Sequence, residues 1–111
     1  HAKNLTDIEV RNFKEKLQGS KIDRFATAAH MPYLPNLSSP DKTAHAKSVD
    51  TLIKEVERCH MLGIPYLVAH LGSHMGTGED KAIKRLVEAF TKAADNKKEV
   101  MILILQNIIV N

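Results

Sequence analysis

The stretch Ile64-Pro65-Tyr66-Leu67-Val68-Ala69-His70-Leu71-Gly72-Ser73-His74 decides the fold. Its apolar run is too short for a helix of its own and stops abruptly at His70, before a loop broken by glycine. Such a run reads as a buried strand of a parallel sheet. A polar residue where the strand leaves the sheet stands where α/β folds place their chemistry. Two other runs end the same way: Phe25-Ala26-Thr27-Ala28-Ala29 in His30, and Val100-Met101-Ile102-Leu103-Ile104-Leu105 in Gln106. The three polar residues lie about 40 and 36 positions apart, a spacing that fits one strand, loop, helix and loop per repeat. Strands pairing side by side at about 4.8 Å would gather all three side chains at one rim.

Helices fill the intervals. Thr6-Asp7-Ile8-Glu9 is a capping box, followed by an apolar stripe of Ile8, Phe13 and Leu17 and a stop at Gly19. A second helix spans about 41–62, with Val49, Leu52, Ile53, Val56, Cys59 and Leu62 on one face. Gly63 caps it, and Pro65 follows. A third helix spans about 79–95, with Ala82, Ile83, Leu86, Val87, Phe90 and Ala93 facing inward. The order α, β, α, β, α, β requires parallel strands and right-handed crossovers. The loop after His30 cannot be helical, because Pro32, Pro35 and Pro40 remove donors and favour extended backbone. It is long for such a connection, and Met31, Leu34 and Leu37 mark it as packed.

At 111 residues the chain is at most one domain, 1–111, and a short one for an α/β protein. A hydrophobic share of 43% with 26% charged residues is that of a soluble globular chain, and a net charge of +3 permits an anionic partner but does not argue for nucleic acid. One cysteine excludes an internal disulfide framework and favours a reducing, intracellular setting. No run approaches the length of a membrane span. The chain opens on His1 and ends shortly after its last strand, so both ends read as cut.

His30 and His70 are the candidate metal ligands, since neutral imidazole at adjacent strand ends suits zinc. One histidine at a strand end is more often structural; two at matching places in successive repeats favour a site. His70-x-x-x-His74 is half of a zinc-protease motif, but that motif needs a helix, and Gly72 breaks any helix here. Gly72 and Ser73 lie in a turn whose backbone donors could face an anion, or could form only a tight turn. Tyr33 and Asn36 lie in the proline-rich loop, where a tyrosine can stack on a base or simply pack. His45 and His60 read as solvated, Cys59 as core, and Lys81, Lys84 and Lys92 as a wet face.

The blocks His30-Met31-Pro32-Tyr33-Leu34-Pro35-Asn36-Leu37, Glu57-Arg58-Cys59-His60-Met61-Leu62-Gly63-Ile64 and His70-Leu71-Gly72-Ser73-His74 resemble the endonuclease IV family, in its archaeal type, from Leu5 to Asn107. The resemblance implies a partial (β/α)₈ TIM barrel of three parallel strands and three helices. A whole barrel takes roughly 250 residues. It also implies base-excision repair, with hydrolysis of the DNA backbone 5′ to an abasic site by a trinuclear zinc cluster. By position, His30 and His70 would be zinc ligands. Tyr33, Asn36, Gly72 and Ser73 would face double-stranded DNA carrying the abasic site. Where the family has a zinc-bridging glutamate in the block ENTAG, this chain has Gln106-Asn107-Ile108-Ile109-Val110, and a neutral glutamine bridges metals poorly. The later ligands of the family lie on strands outside these residues, so the chain alone is expected to be inactive. Its unpaired sheet edges are expected to favour self-association. Two rival readings are a fragment of a xylose isomerase-like sugar isomerase, which would need paired carboxylates on strands, and a non-catalytic product that binds metal or DNA weakly.

Overall fold

A computed structural model describes residues 4–32, 35–95 and 98–105. Helix α1 (Asp7–Gly19) begins with the capping box intact: the Glu9 N–H donates to the Thr6 hydroxyl at 3.1 Å, and the Thr6 N–H donates to the Glu9 carboxylate at 3.1 Å. Two corrections apply to this helix. Gly19 is its last residue, and the cap is Ser20 in right-handed geometry. The half-buried face is Val10, Phe13 and Leu17, at spacings of three and four, which leaves Ile8 exposed.

The first strand departs from expectation. Arg24–Ala26 form a 3₁₀ turn, because the Asp23 carboxylate accepts from the Phe25 N–H at 2.9 Å and opens a helical turn before any strand can start. Phe25 is exposed, with the Arg24 guanidinium 4.3 Å from its ring centroid. Strand β1 is therefore only Ala29–His30.

Helix α2 (Lys42–Leu62) is capped by the Asp41 side chain and stopped by Gly63 at φ 74°, where a side chain would be strained. It buries Val49, Leu52, Val56 and Cys59, as the stripe requires, and with them Ser48 and His45. The burial of His45 corrects its expected place in solvent. It lies four residues before Val49, on the same face, and its Nε2 stands 3.0 Å from the Arg85 carbonyl oxygen.

Strand β2 (Tyr66–His70) alternates between half-buried and buried residues, with Leu67 and Ala69 fully enclosed against the helices. Helix α3 (Glu79–Ala94) buries Ala82, Leu86, Ala89 and Ala93 and half-buries Phe90, but Ile83 and Val87 are exposed, against expectation. Its apolar residues cover more of the helix circumference than α2 and the sheet occupy. Strand β3 (Met101–Leu105) completes a parallel sheet in the order β1-β2-β3. The core is a single layer between this sheet and the helices, centred on Leu52, Leu67, Ala69 and Ala89, each fully buried. Among the described residues, no helix is long and apolar enough to cross a membrane.

Candidate metal centre

The register sets the site. In β1 and β2, Ala29 pairs with Leu67 and His30 with Val68. Side chains alternate with period two, so His30, Val68 and His70 share the sheet face turned away from the helices. His30 thus sits two residues short of His70 in register, and the side chains close that offset diagonally. Their Nε2 atoms are 3.1 Å apart, with ring centroids at 4.9 Å and planes tilted by 57°. Two imidazole nitrogens bound to one tetrahedral zinc at about 2.05 Å each would stand about 3.3 Å apart. The observed separation is close to that.

Protonation follows from the neighbours. His30 Nδ1 is 2.6 Å from the Met31 carbonyl oxygen, and a carbonyl only accepts, so the Nδ1 carries the proton. His30 Nε2 then presents a lone pair and, in the neutral pair, accepts from His70 Nε2. A ring whose outer N–H is held by a backbone carbonyl is the usual arrangement of a metal-ligating histidine. Among the described residues, no third histidine, cysteine, aspartate or glutamate converges on the pair. Tyr33 and Gln106 lie outside the described residues, but Gln106 directly follows Leu105, which pairs with His70.

The two loops that leave these strands are tied together. The Asn36 carboxamide oxygen accepts from the Ser38 N–H at 3.0 Å and from the Ser73 N–H at 3.1 Å, while its nitrogen donates to the Ser73 carbonyl at 3.1 Å. The Ser73 N–H, a donor considered for an anion, is therefore held by Asn36. Gly72 has φ 83°, and a Cβ there would stand 2.1 Å from the Asn36 carboxamide oxygen. Glycine is needed for this approach. The Ser38 hydroxyl donates to the Leu71 carbonyl, and the Asn36 N–H donates to the Ser48 hydroxyl of α2 at 2.9 Å. His74 accepts at Nδ1 from the Gly76 N–H at 3.0 Å, which shapes the loop's tip.

Arg85 is the residue that sequence reasoning missed. From α3 it donates to the Ser38 carbonyl at 2.7 Å and to the Thr77 hydroxyl at 2.6 Å, one acceptor on each loop. Its only sequence signal was its place beside the buried stripe, three residues after Ala82.

The profile of the xylose isomerase-like TIM barrel family matches residues 1–108. Over 104 residues the chain is 62% identical to "Probable endonuclease 4" of Nitrosopumilus maritimus, covering 94% of this chain and 37% of that protein. It is 42% identical over 107 residues to the protein of the same name from Thermotoga neapolitana, covering 96% and 37%. In structure it resembles endonuclease IV from Thermus thermophilus, with a TM-score of 0.70 and 25% identity, over 94% of this chain and 36% of that one. The chain thus spans a little over a third of the length of these relatives.

Proposed function

We propose a DNA-repair role for this chain, which belongs to the xylose isomerase-like TIM barrel family: it forms part of an endonuclease IV-type barrel that hydrolyses the phosphodiester bond 5′ to an abasic site. The observation that carries this reading is the His30–His70 pair, Nε2 to Nε2 at 3.1 Å with the Met31 carbonyl behind His30 Nδ1. It lies in a chain similar over nearly its whole length to proteins named as endonuclease 4.

In this reading His30 and His70 hold zinc through Nε2. Zinc, when bound, supplies positive charge to a phosphoryl group and activates water. The Met31 carbonyl fixes the tautomer and orientation of His30, so its Nε2 lone pair would be available to an ion. The proton on His70 Nε2 would have to leave or move to Nδ1 before that nitrogen could ligate. Gln106 follows Leu105 in the chain and, where the family resemblance implies a carboxylate, would offer only one neutral oxygen, so the His30–His70 pair alone cannot complete a tetrahedral site. By the family resemblance, Tyr33 would contact the damaged strand. Gly72 and Ser73 would face the DNA from the loop after β2, which the Asn36 contacts tie to the loop after β1. Duplex DNA with an abasic site is the substrate partner.

The test is a chimera in which residues 5–105 replace the matching segment of the Nitrosopumilus maritimus relative, assayed on a duplex carrying one abasic site. The expected result is zinc-dependent incision 5′ to the site, reduced about 100-fold or more by His30→Ala or His70→Ala. A folded, zinc-loaded chimera that leaves abasic DNA intact would overturn the proposal.

A further inference from the structure

We propose that Arg85 is a positioning residue: it locks the loop after β1 onto the loop after β2 and thereby sets the spacing of His30 and His70. The consequence for metal binding rests on the reading above, whereas the lock itself does not.

Both loops carry turn contacts of their own, and Asn36 already ties them to each other; Arg85 adds a tie from a separate helix. The second loop runs through Gly72, Gly76 and Gly78, all at positive φ, with Met75 at φ 50°. Glycine-rich backbone of this kind has many conformations to choose from. The first loop contributes Leu37, Ser38 and Ser39, each at most 2% exposed, and buried backbone requires partners. Asn36 accepts from the Ser38 and Ser39 amides, and Arg85, from a rigid helix, supplies the partner of the Ser38 carbonyl. Its guanidinium reaches the Ser38 carbonyl with Nε and the Thr77 hydroxyl with Nη2, so one planar group spans both loops. Its own backbone carbonyl meets His45 of α2 at 3.0 Å. Among the described residues it forms no ion pair with a carboxylate. Its charge strengthens hydrogen bonds to neutral loop acceptors.

The connection to the histidines is short. Ser38, held through its carbonyl, donates its hydroxyl to the Leu71 carbonyl, one residue beyond His70. Asn36, two residues before Ser38, grips Ser73. The first loop begins at Met31, whose carbonyl orients His30. Releasing Ser38 therefore loosens the backbone immediately after His70, while His30 stays anchored through the Met31 N–H on the Val68 carbonyl, so the distance between the rings is free to change.

Amide hydrogen exchange on the 111-residue chain without metal tests the lock, using wild type, Arg85→Lys and Arg85→Ala. Protection of the Ser38 and Ser73 amides should fall about tenfold in Arg85→Ala and less in Arg85→Lys, with the α2 amides of Leu52 and Val56 changing far less. The nuclear Overhauser contact between the His30 and His70 rings should weaken in parallel. If Arg85→Ala does not fold, Thr77→Val removes one acceptor and should loosen the same two amides selectively. Unchanged Ser38 and Ser73 protection, or a loss that merely follows Leu52 and Val56, would overturn the proposal. Co²⁺ in large excess that shifts neither ring of the wild-type chain would defeat the metal reading of the pair, and the exchange result would still decide the lock.

Discussion

His30 and His70 meet Nε2 to Nε2 at 3.1 Å although the strand register places His30 opposite Val68, two residues short of His70. The pair therefore depends on two things. Parallel pairing puts both rings on one sheet face, and the Met31 carbonyl turns His30 towards its neighbour. Both rings stand at the strand ends with His30 exposed and His70 half-buried, so neither contributes much to the core.

Glycine substitutions should separate two kinds of backbone requirement. Gly72→Ala places a Cβ against the Asn36 carboxamide at positive φ, and should cost roughly 2–3 kcal/mol in denaturant unfolding. Gly63→Ala meets only the ends of Arg24 and Lys14 at 3.6 and 3.9 Å, so it suffers the conformational strain alone, about 1 kcal/mol. Equal losses would contradict this account of the Gly72–Asn36 contact.

Cys59 is 1% exposed, and burial, aided by Glu55 and opposed by Arg58, pushes its thiol up to about 11 from 9.0. The folded state then keeps its proton after the unfolded chain has lost it. The stability tied to this group is fully present below pH 9 and is lost as pH rises towards 11. Cys59→Ala should cost about 1–2 kcal/mol at pH 7 and should flatten that alkaline decline relative to wild type. Alkylation of the native thiol at about pH 8 should wait for unfolding; rapid alkylation would contradict the assignment.

Self-association is the expected behaviour at high concentration. On β3, Met101, Leu103 and Ile104 are 60%, 40% and 50% exposed, on both faces of a strand at the sheet's edge. Apolar edges of this kind recruit other chains. Light scattering on a sizing column at about 100 µM should show species heavier than a monomer; a single monomeric peak would contradict it.

Much of this is legible in the chain. The capping box of α1, the Gly63 stop of α2 and the apolar run of β2 each carry a local signal, and together they dictate the order and parallel pairing. The first strand is not legible, because Phe25 and Ala26 look like strand residues while Asp23, two positions before Phe25, redirects the backbone into a turn. His45 is misread because a polar residue suggests solvent although its spacing extends the buried stripe. The exposure of Ile83 and Val87 depends on which flank of α3 meets α2 and the sheet, and periodicity alone leaves that open. The histidine pair is legible as two strand ends about 40 positions apart. Arg85 is not, since its partners are a carbonyl and a hydroxyl that no motif marks.

The most direct test of the central claim is proton NMR of the 111-residue chain titrated with Co²⁺, a paramagnetic stand-in for zinc. If His30 and His70 share one ion, their ring protons should show large hyperfine shifts that grow together along one weak binding curve as Co²⁺ is added in excess, and His30→Ala or His70→Ala should each abolish both sets. Shifts confined to one of the two rings, or appearing instead at His60 or His74, would contradict a shared metal site.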